Sequence, residues 1–454
     1  MAEYEALRRQ DVAQFEALWP AFVDRTTWPQ ERLRLEREER LRVLIKLAKE
    51  RSPWHRSRLA LIDPESFTEA DLGRIPPMTK ADLMENFDGI LTDQRLSREL
   101  AETHLAASTE DAYLLDEFHV VASGGSSGTR GVFVYDRHAW TIFALTLWRF
   151  RLRHERSDPS LGPGAVRAAL AAGKASHISY ALPRTFREVT NATPIPATLP
   201  VPEIVSRLNA LRPPILVGYP SVLYALAHEA LAGRLVVAPR MIGSNSEPLL
   251  PEMRAAMEQA WHCPVLNAWG ASEGVAAGAC GHGPGLHLVE DVCIFELMNE
   301  DGEPVELGAR AAKMYVTNLY NTSQPLIRYE LTDEVLLIDG TCPCGSGMRR
   351  IDDVQGRSDD VFHYPGNVVV HPMVLRSPLG SQRNILEYQV RQTLAGAEVE
   401  PCVQGDVDTA ALGKTLELSL RAAGVREPEV AVHLVVSLDR QQVGKLKRFI
   451  ALPR

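Results

Sequence analysis

Apolar residues in the N-terminal third fall on a helical repeat. Leu33, Leu41, Leu44, Ile45 and Ala48 recur at spacings of three, four or eight within a Glu- and Arg-rich stretch, which predicts a helix with one buried face. Ser52-Pro53 predicts its end, because a proline interrupts helical hydrogen bonding. Two short helices with threonine caps are predicted over 68–72 and 79–83, separated by Pro76-Pro77. Further on the pattern alternates. Short β-rich runs over 131–135, 215–217, 314–317 and 335–338 are interleaved with helical segments such as 222–232 and 252–261, which predicts an α/β chain. Pro194, Pro196, Pro200 and Pro202 predict an extended connection with no regular element in it. The chain has no internal repeat and no low-complexity tract.

Length and charge narrow the function. A chain of 454 residues exceeds what one hydrophobic core serves, so two or more domains are expected. The net charge is −9, with Lys and Arg dispersed, which argues against a nucleic-acid surface and for small-molecule chemistry. No apolar run approaches the roughly 20 residues of a membrane helix, and the N-terminus lacks the pattern of a signal peptide. A cytoplasmic protein is expected, without membrane contact. Six cysteines are too few for a disulfide scaffold in so long a chain.

Three places carry candidate chemistry. The run Ser123-Gly124-Gly125-Ser126-Ser127-Gly128-Thr129-Arg130-Gly131 reads either as a flexible linker or as a loop whose backbone N–H groups cradle phosphates. Apolar lead-in residues and a following strand tie it at both ends, and no Gly-Lys-Ser/Thr follows it at the required spacing, which excludes a Walker loop there. Cys342-Pro343-Cys344-Gly345 and Cys280-Gly281-His282, with His287 beyond, offer soft ligands; on spacing alone, a metal site and free buried thiols stand as equal alternatives. Cys263, Cys293 and Cys402 have no partner in spacing. Near the C-terminus, Lys445 and Lys447 read either as solvated lysines or as a late catalytic cation.

The order of the motifs says more than any one of them. After the Gly/Ser run come Ala268-Trp269-Gly270-Ala271-Ser272-Glu273-Gly274, then Leu326-Ile327-Arg328-Tyr329-Glu330-Leu331-Thr332-Asp333, then Gly356-Arg357-Ser358-Asp359-Asp360, and finally Gly444-Lys445 with Arg448. In this order they resemble the adenylate-forming superfamily of acyl-CoA ligases, peptide-synthetase adenylation domains and luciferases, and within it the phenylacetate-CoA ligase group. Ser52-Pro53-Trp54-His55-Arg56 and Ile75-Pro76-Pro77-Met78-Thr79-Lys80 resemble that group's N-terminal signature, so the resemblance spans nearly the whole chain.

The resemblance implies an α/β fold with a large multi-subdomain N-terminal adenylation domain, residues 1–356, and a small mobile α+β C-terminal lid, residues 357–454, with Asp359 as hinge. It implies that ATP is held by Ser123, Gly125, Ser126, Ser127, Gly128 and Thr129 at its phosphates, by Trp269 with Gly270 and Ser272 on one side of adenine, and by Ser246-Glu247-Pro248 on the other. Thr129-Arg130 stands where many members have Lys-Pro, and Arg130 would be the candidate substitute cation. Asp333 and Arg357 would take the ribose, with Arg328 and Tyr329 as supports; Glu273 would hold Mg2+, and Lys445 would be the catalytic lysine.

An acyl pocket is implied around Tyr219, Ser244, Trp269 and His177. The stretch Lys174-Ala175-Ser176-His177-Ile178-Ser179-Tyr180 is more polar than a phenylacetate enzyme would need, which favours a hydroxylated, amino-substituted or otherwise polar acid over phenylacetate, so an aromatic or polar-substituted acid is expected; His177 and Lys174 as surface residues remain the alternative. A structural zinc is implied at Cys280, His282, Cys342 and Cys344, with His287 as the other candidate for the fourth ligand. The expected reaction is activation of a carboxylic acid by ATP to acyl-AMP with release of pyrophosphate, then transfer to coenzyme A. Transfer to an amine or a carrier-protein thiol is the alternative, and a homodimer is a family-level expectation.

Overall fold

The helix expected around Leu33 runs Gln30–Arg51, and its five apolar positions are all buried. Ser52 ends it and also caps the next helix, Pro53–Arg58, its hydroxyl accepting the His55 N–H at 3.3 Å. Thr79 forms a capping box with Asp82 at the start of Lys80–Glu85. These features belong to a computed structural model that describes residues 2–123, 131–162, 164–171, 177–197, 199–352, 354, 362–366, 368–370, 373–380, 382, 384–439 and 446–452.

A ten-stranded sheet organises the large part of the chain. Its parallel half runs, from the edge inward, Ala192–Pro196, Arg167–Ala171, Ile215–Gly218, Met241–Asn245 and Val265–Ala271. Its antiparallel half continues through Val275–Gly278, Leu286–Leu288, Arg350–Ile351, Val335–Ile338 and Arg310–Ala311. The helices Val201–Leu211, Pro220–Leu231 and Pro251–Trp261 connect parallel strands and bury Ile204, Leu208, Leu223, Leu226 and Met257 against Leu216 and Ile242. The long helix Arg137–Ser157 packs on Val275–Gly278.

The four prolines expected to mark an irregular connection do not. Pro194 and Pro196 lie within the edge strand Ala192–Pro196, where a missing N–H need not break a ladder on both sides. Pro200 is the N-cap of Val201–Leu211 and Pro202 sits in its first turn, where the lost donor had no partner within the helix.

The N-terminal helix Ala2–Asp24 lies along Arg137–Ser157 and is fixed there by a buried polar network. Tyr113 Oη donates to Asp11 at 2.6 Å and Arg137 Nε donates to the same carboxylate at 2.7 Å. Tyr4 Oη donates to Asp111 at 2.7 Å. His119 sits between them, 3.5 Å from Asp111 and 3.9 Å from Asp11, stacked on Trp140 at 4.4 Å.

A second, three-stranded sheet comprises Cys293–Met298, Lys313–Asn318 and Tyr329–Leu331. Met78 joins its edge, donating to Arg328 O at 2.9 Å and accepting from Glu330 N at 2.8 Å. From Phe362 onward the chain builds a separate core around Leu375, Val390, Val399 and Leu416. There the strands Glu429–Val432, Gly396–Val403, Ile385–Gln392 and Phe449–Ile450 form one sheet, covered by the helix Thr409–Ala422. Among the described residues no helix is long and apolar enough to cross a membrane.

Candidate active site

The strands Phe118–Ala122 and Val132–Asp136 pair antiparallel in unbroken register and deliver the Gly/Ser run at their turn. Ser123 N donates to Gly131 O at 2.9 Å, and Gly131 N donates to Ser123 Oγ at 2.8 Å, so the mouth of the loop is pinned as a linker's need not be. Gly125, Ser126, Ser127, Gly128, Thr129 and Arg130 lie outside the described residues.

The acidic motif is a tight turn between Val265–Ala271 and Val275–Gly278, and side chains from distant segments clamp its carbonyls. Tyr135 Oη donates to Ser272 O at 2.5 Å, Asn318 Nδ2 to Glu273 O at 3.1 Å and Tyr320 Oη to Gly274 O at 2.6 Å. Gly274 adopts φ +83°, and a Cβ there would lie 2.3 Å from Asn318 Nδ2, so the turn admits only glycine. Glu273 is buried, and its backbone is fixed from three sides. Gly270 is constrained less, since a Cβ there would lie 2.4 Å from Leu147 Cδ2, the end of a flexible side chain.

Trp269 and Asp333 come together across 64 residues: the indole Nε1–H points at Asp333 Oδ1, 3.4 Å away. Asp333 follows the strand to which Met78 is paired, and Arg328 locks that strand's start at φ +53°, with Nε 2.9 Å from Glu296 and a donor 2.6 Å from Ile75 O. On the other side, Ser246 takes φ +69° and donates to Asn245 Oδ1 at 2.9 Å. The Glu247 carboxylate accepts two amides, Ser221 N at 3.1 Å and Leu446 N at 2.9 Å. Leu446 is the residue after Lys445. Lys445, Arg357 and Asp359 themselves lie outside the described residues.

The acyl-pocket candidates fall into two groups, His177 with Tyr219 and Ser244 with Asn267, and of the four expected residues Ser244 alone lines the cavity between the sheet and the long helix. His177 is buried, not on the surface, and its Nδ1 is 2.8 Å from Ser179 Oγ, which is 3.2 Å from Tyr219 Oη. Ser244 Oγ donates to Asn267 Oδ1 at 2.8 Å, both side chains being buried. Beside Ser244 a cavity opens between the sheet and the long helix, walled by Leu147, Phe150, Val217, Leu266 and Gly278.

The cysteine cluster corrects one assignment. Cys280, Cys342, Cys344 and His287 bring their ligand atoms within 4.8 Å of one another, all four residues buried. His282 is not among them: it is exposed and gives only its backbone N–H, 3.4 Å from Cys280 Sγ. His287 lies in the buried strand Leu286–Leu288, paired with Arg350–Ile351, and its Nε2 is 3.4 Å from Cys344 Sγ while Nδ1 is 3.2 Å from Met348 O. Burial pushes the His287 imidazole down to about 4, which leaves it neutral as a metal ligand must be. Burial pushes the Cys280 thiol up to about 12. Burial also raises Cys342, but the Cys344 amide, the neighbouring thiols and Arg350 outweigh it and hold this thiol below its ordinary value. A tetrahedral zinc with bonds of about 2.3 Å to sulfur sets two sulfurs about 3.8 Å apart, and Cys280 Sγ and Cys342 Sγ are 3.5 Å apart. Three thiols and one imidazole therefore fit zinc.

Tyr135, Asn318 and Tyr320 are the functional residues that reading the motifs missed. The polar stretch at 318–324 directly after an apolar strand was the available signal.

No family model matches the chain. It is 26% identical over 464 residues to a phenylacetate-coenzyme A ligase of Thermus thermophilus, covering 94% of this chain and 98% of that protein. It is 27% identical over 363 residues to a phenylacetate-coenzyme A ligase of Escherichia coli, covering 75% and 74%. Among solved structures, 2-hydroxyisobutyryl-CoA ligase in its postadenylation state superposes with a TM-score of 0.71 at 19% identity, covering 95% of this chain and 91% of that one.

Proposed function

We infer that this chain, a member of the adenylate-forming superfamily in its phenylacetate-CoA ligase-like group, is an AMP-forming acid–CoA ligase. It activates a carboxylic acid with ATP to acyl-AMP and pyrophosphate, then passes the acyl group to the thiol of coenzyme A. The observation that carries this reading is that Glu247, Trp269 and Glu273 lie at or just beyond the carboxyl ends of two neighbouring parallel strands, with Asp333 reached by the Trp269 indole and Leu446 docked on Glu247. That contact would bring the segment after Lys445 to the side of the site proposed for adenine.

Asp333 would accept hydrogen bonds from the ribose hydroxyls, and Trp269 would stack near the base. Glu273 offers a carboxylate, a hard oxygen ligand suited to Mg2+; the ion, when bound, neutralises phosphate charge. Lys445 would stabilise the charge that develops as the carboxylate oxygen attacks the α-phosphorus. Residues 1–356 would form the adenylation domain and 357–454 a lid turning about Asp359, in keeping with the separate core that begins at Phe362. Zinc at Cys280, His287, Cys342 and Cys344 would be structural, since four protein ligands leave no open position. The six unbridged cysteines are in keeping with a reducing, cytoplasmic setting.

Pyrophosphate release measured over a panel of carboxylic acids, with and without coenzyme A, tests the reading. The expected result is acid-dependent release and a coenzyme A thioester as product; product formation that needs an amine or a carrier protein instead would overturn the choice of acceptor. Lys445→Ala is expected to slow pyrophosphate release about 100- to 1000-fold with ATP affinity retained, and an active variant would refute the role of Lys445.

A further inference from the structure

The cavity beside Ser244 changes character along its length. Its near end carries Ser244, Asn245 and Asn267, its walls are apolar, and its far end carries Arg151 and Arg167. Strand register measures the distance between the ends. Leu170 is level with Gly218, Ser244 and Asn267, whereas Arg167 is level with Ile215 and Met241. Three residues of extended chain separate the two levels, about 10 Å. The far end therefore lies deep under the long helix, away from the carboxyl ends of the strands where the nucleotide motifs meet.

The charges there do not balance. Glu155 lies 2.8 Å from Arg167 and 3.3 Å from Arg151, so two guanidiniums share one carboxylate and leave a net positive charge. Arg167 is held further by carbonyls, donating to Thr190 O at 2.7 Å and Ala165 O at 3.1 Å. Arg151 is tied less by oxygen acceptors: among the described residues its one ion pair is the longer contact with Glu155, and its guanidinium otherwise lies 5.4 Å from the centre of the Trp148 ring, which leaves N–H donors for a ligand. A guanidinium facing an apolar cavity presents a fork of N–H donors suited to an oxygen acceptor, and a ligand that supplies one relieves the cost of the unbalanced charge.

We propose that Arg151 is the specificity-determining residue of the acyl pocket, and that it selects carboxylic acids carrying an oxygen acceptor, above all a second carboxylate, at the end remote from the activated group. This rests on the ligase reading given above. A distal amine would be disfavoured by the same charge, and a bare hydrocarbon would leave the guanidinium without its acceptor.

The test compares phenylacetate, 4-hydroxyphenylacetate and 4-carboxyphenylacetate by kcat/KM for pyrophosphate release in the wild type, Arg151→Met and Arg151→Lys. The wild type is expected to rank the carboxy acid above the hydroxy acid and both above phenylacetate, with a spread of about 10- to 100-fold, the range of a hydrogen bond to a charged group. Arg151→Met is expected to collapse the spread and Arg151→Lys to keep part of it. A wild type that prefers phenylacetate, or an Arg151→Met variant that keeps the ranking, overturns the proposal while leaving the ligase reading intact. Absence of pyrophosphate release from these and every other acid tried would instead sink the ligase reading, and the proposal with it.

Discussion

Burial alone would pull the proton off His119, but the Asp11 and Asp111 carboxylates outweigh it and hold the imidazole protonated above its ordinary range. Tyr4, Tyr113 and Arg137 complete the surroundings, and His104 opposes weakly from the side. Because the folded state binds this proton more tightly, the stability it contributes is full below about pH 6.5, the ordinary histidine value, and is lost as the pH rises through the raised value. At the acid end, Asp111, held low by His119 and its hydrogen-bond donors against the opposing effect of burial, loses its contribution as the pH falls through its lowered value. His119→Gln is therefore expected to cost about 3–5 kcal/mol at pH 6, as for one member of a buried pair, and less at alkaline pH. Thermal unfolding of wild type and variant from pH 6 to 9 checks this; a penalty that does not shrink with rising pH would exclude the ionic role. Nothing in the sequence announces this network, whose members are spread from Tyr4 to Arg137 and to which the docked helix brings Tyr4 and Asp11. Glu273, Trp269 and Asp333, by contrast, stand in motifs that single them out as candidates, whereas the side chains that hold the turn around Glu273 do not, because Tyr135 is 137 residues from the carbonyl it binds.

The Cys/His cluster turns on element geometry. Adjacency to Cys280 favours His282, but Gly281 at φ +77° turns the chain outward there, and the strand Leu286–Leu288 carries His287 back to the cysteines. Spacing cannot report which way a strand faces after a left-handed turn. The opposite half, Cys342 to Cys344, is closed by Gly345 N on Cys342 O at 3.0 Å and by Arg153 donating to Cys344 O at 2.6 Å. An ion joining Cys280 to Cys342 would close a loop of 62 residues, worth about 4 kcal/mol by the chain-entropy argument for a cross-link. Metal analysis of purified variants should find stoichiometric zinc in wild type and His282→Ala, and loss of zinc with a lowered melting temperature in His287→Ala and Cys342→Ser. Retention by His287→Ala and loss by His282→Ala would reverse the ligand assignment. The proline stretch teaches the same lesson from the other side: Pro194 and Pro196 forbid a central strand and permit an edge, and only the sheet order reveals which position is on offer.

At the scale of the whole molecule, one link between the large part and the C-terminal part runs through Glu247, whose carboxylate holds Ser221 of the sheet's helices and Leu446 of the C-terminal part. The motifs make the order of the two parts readable, but a contact between residues 199 positions apart has no trace in spacing. Glu247→Ala is expected to slow acid-dependent pyrophosphate release about tenfold or more, while thioester formation from supplied acyl-AMP and coenzyme A is preserved. Equal loss in both steps would reduce Glu247 to a general structural residue. The sheet has a further consequence in the order in which the chain is made. Arg350–Ile351 lies between Leu286–Leu288 and Val335–Ile338, although it follows both in sequence. During synthesis the two flanking strands leave the ribosome before the one that joins them, each with an open edge. The large sheet is sealed by nearly its last residues, so the growing chain is already entering its C-terminal part when the N-terminal part first becomes whole.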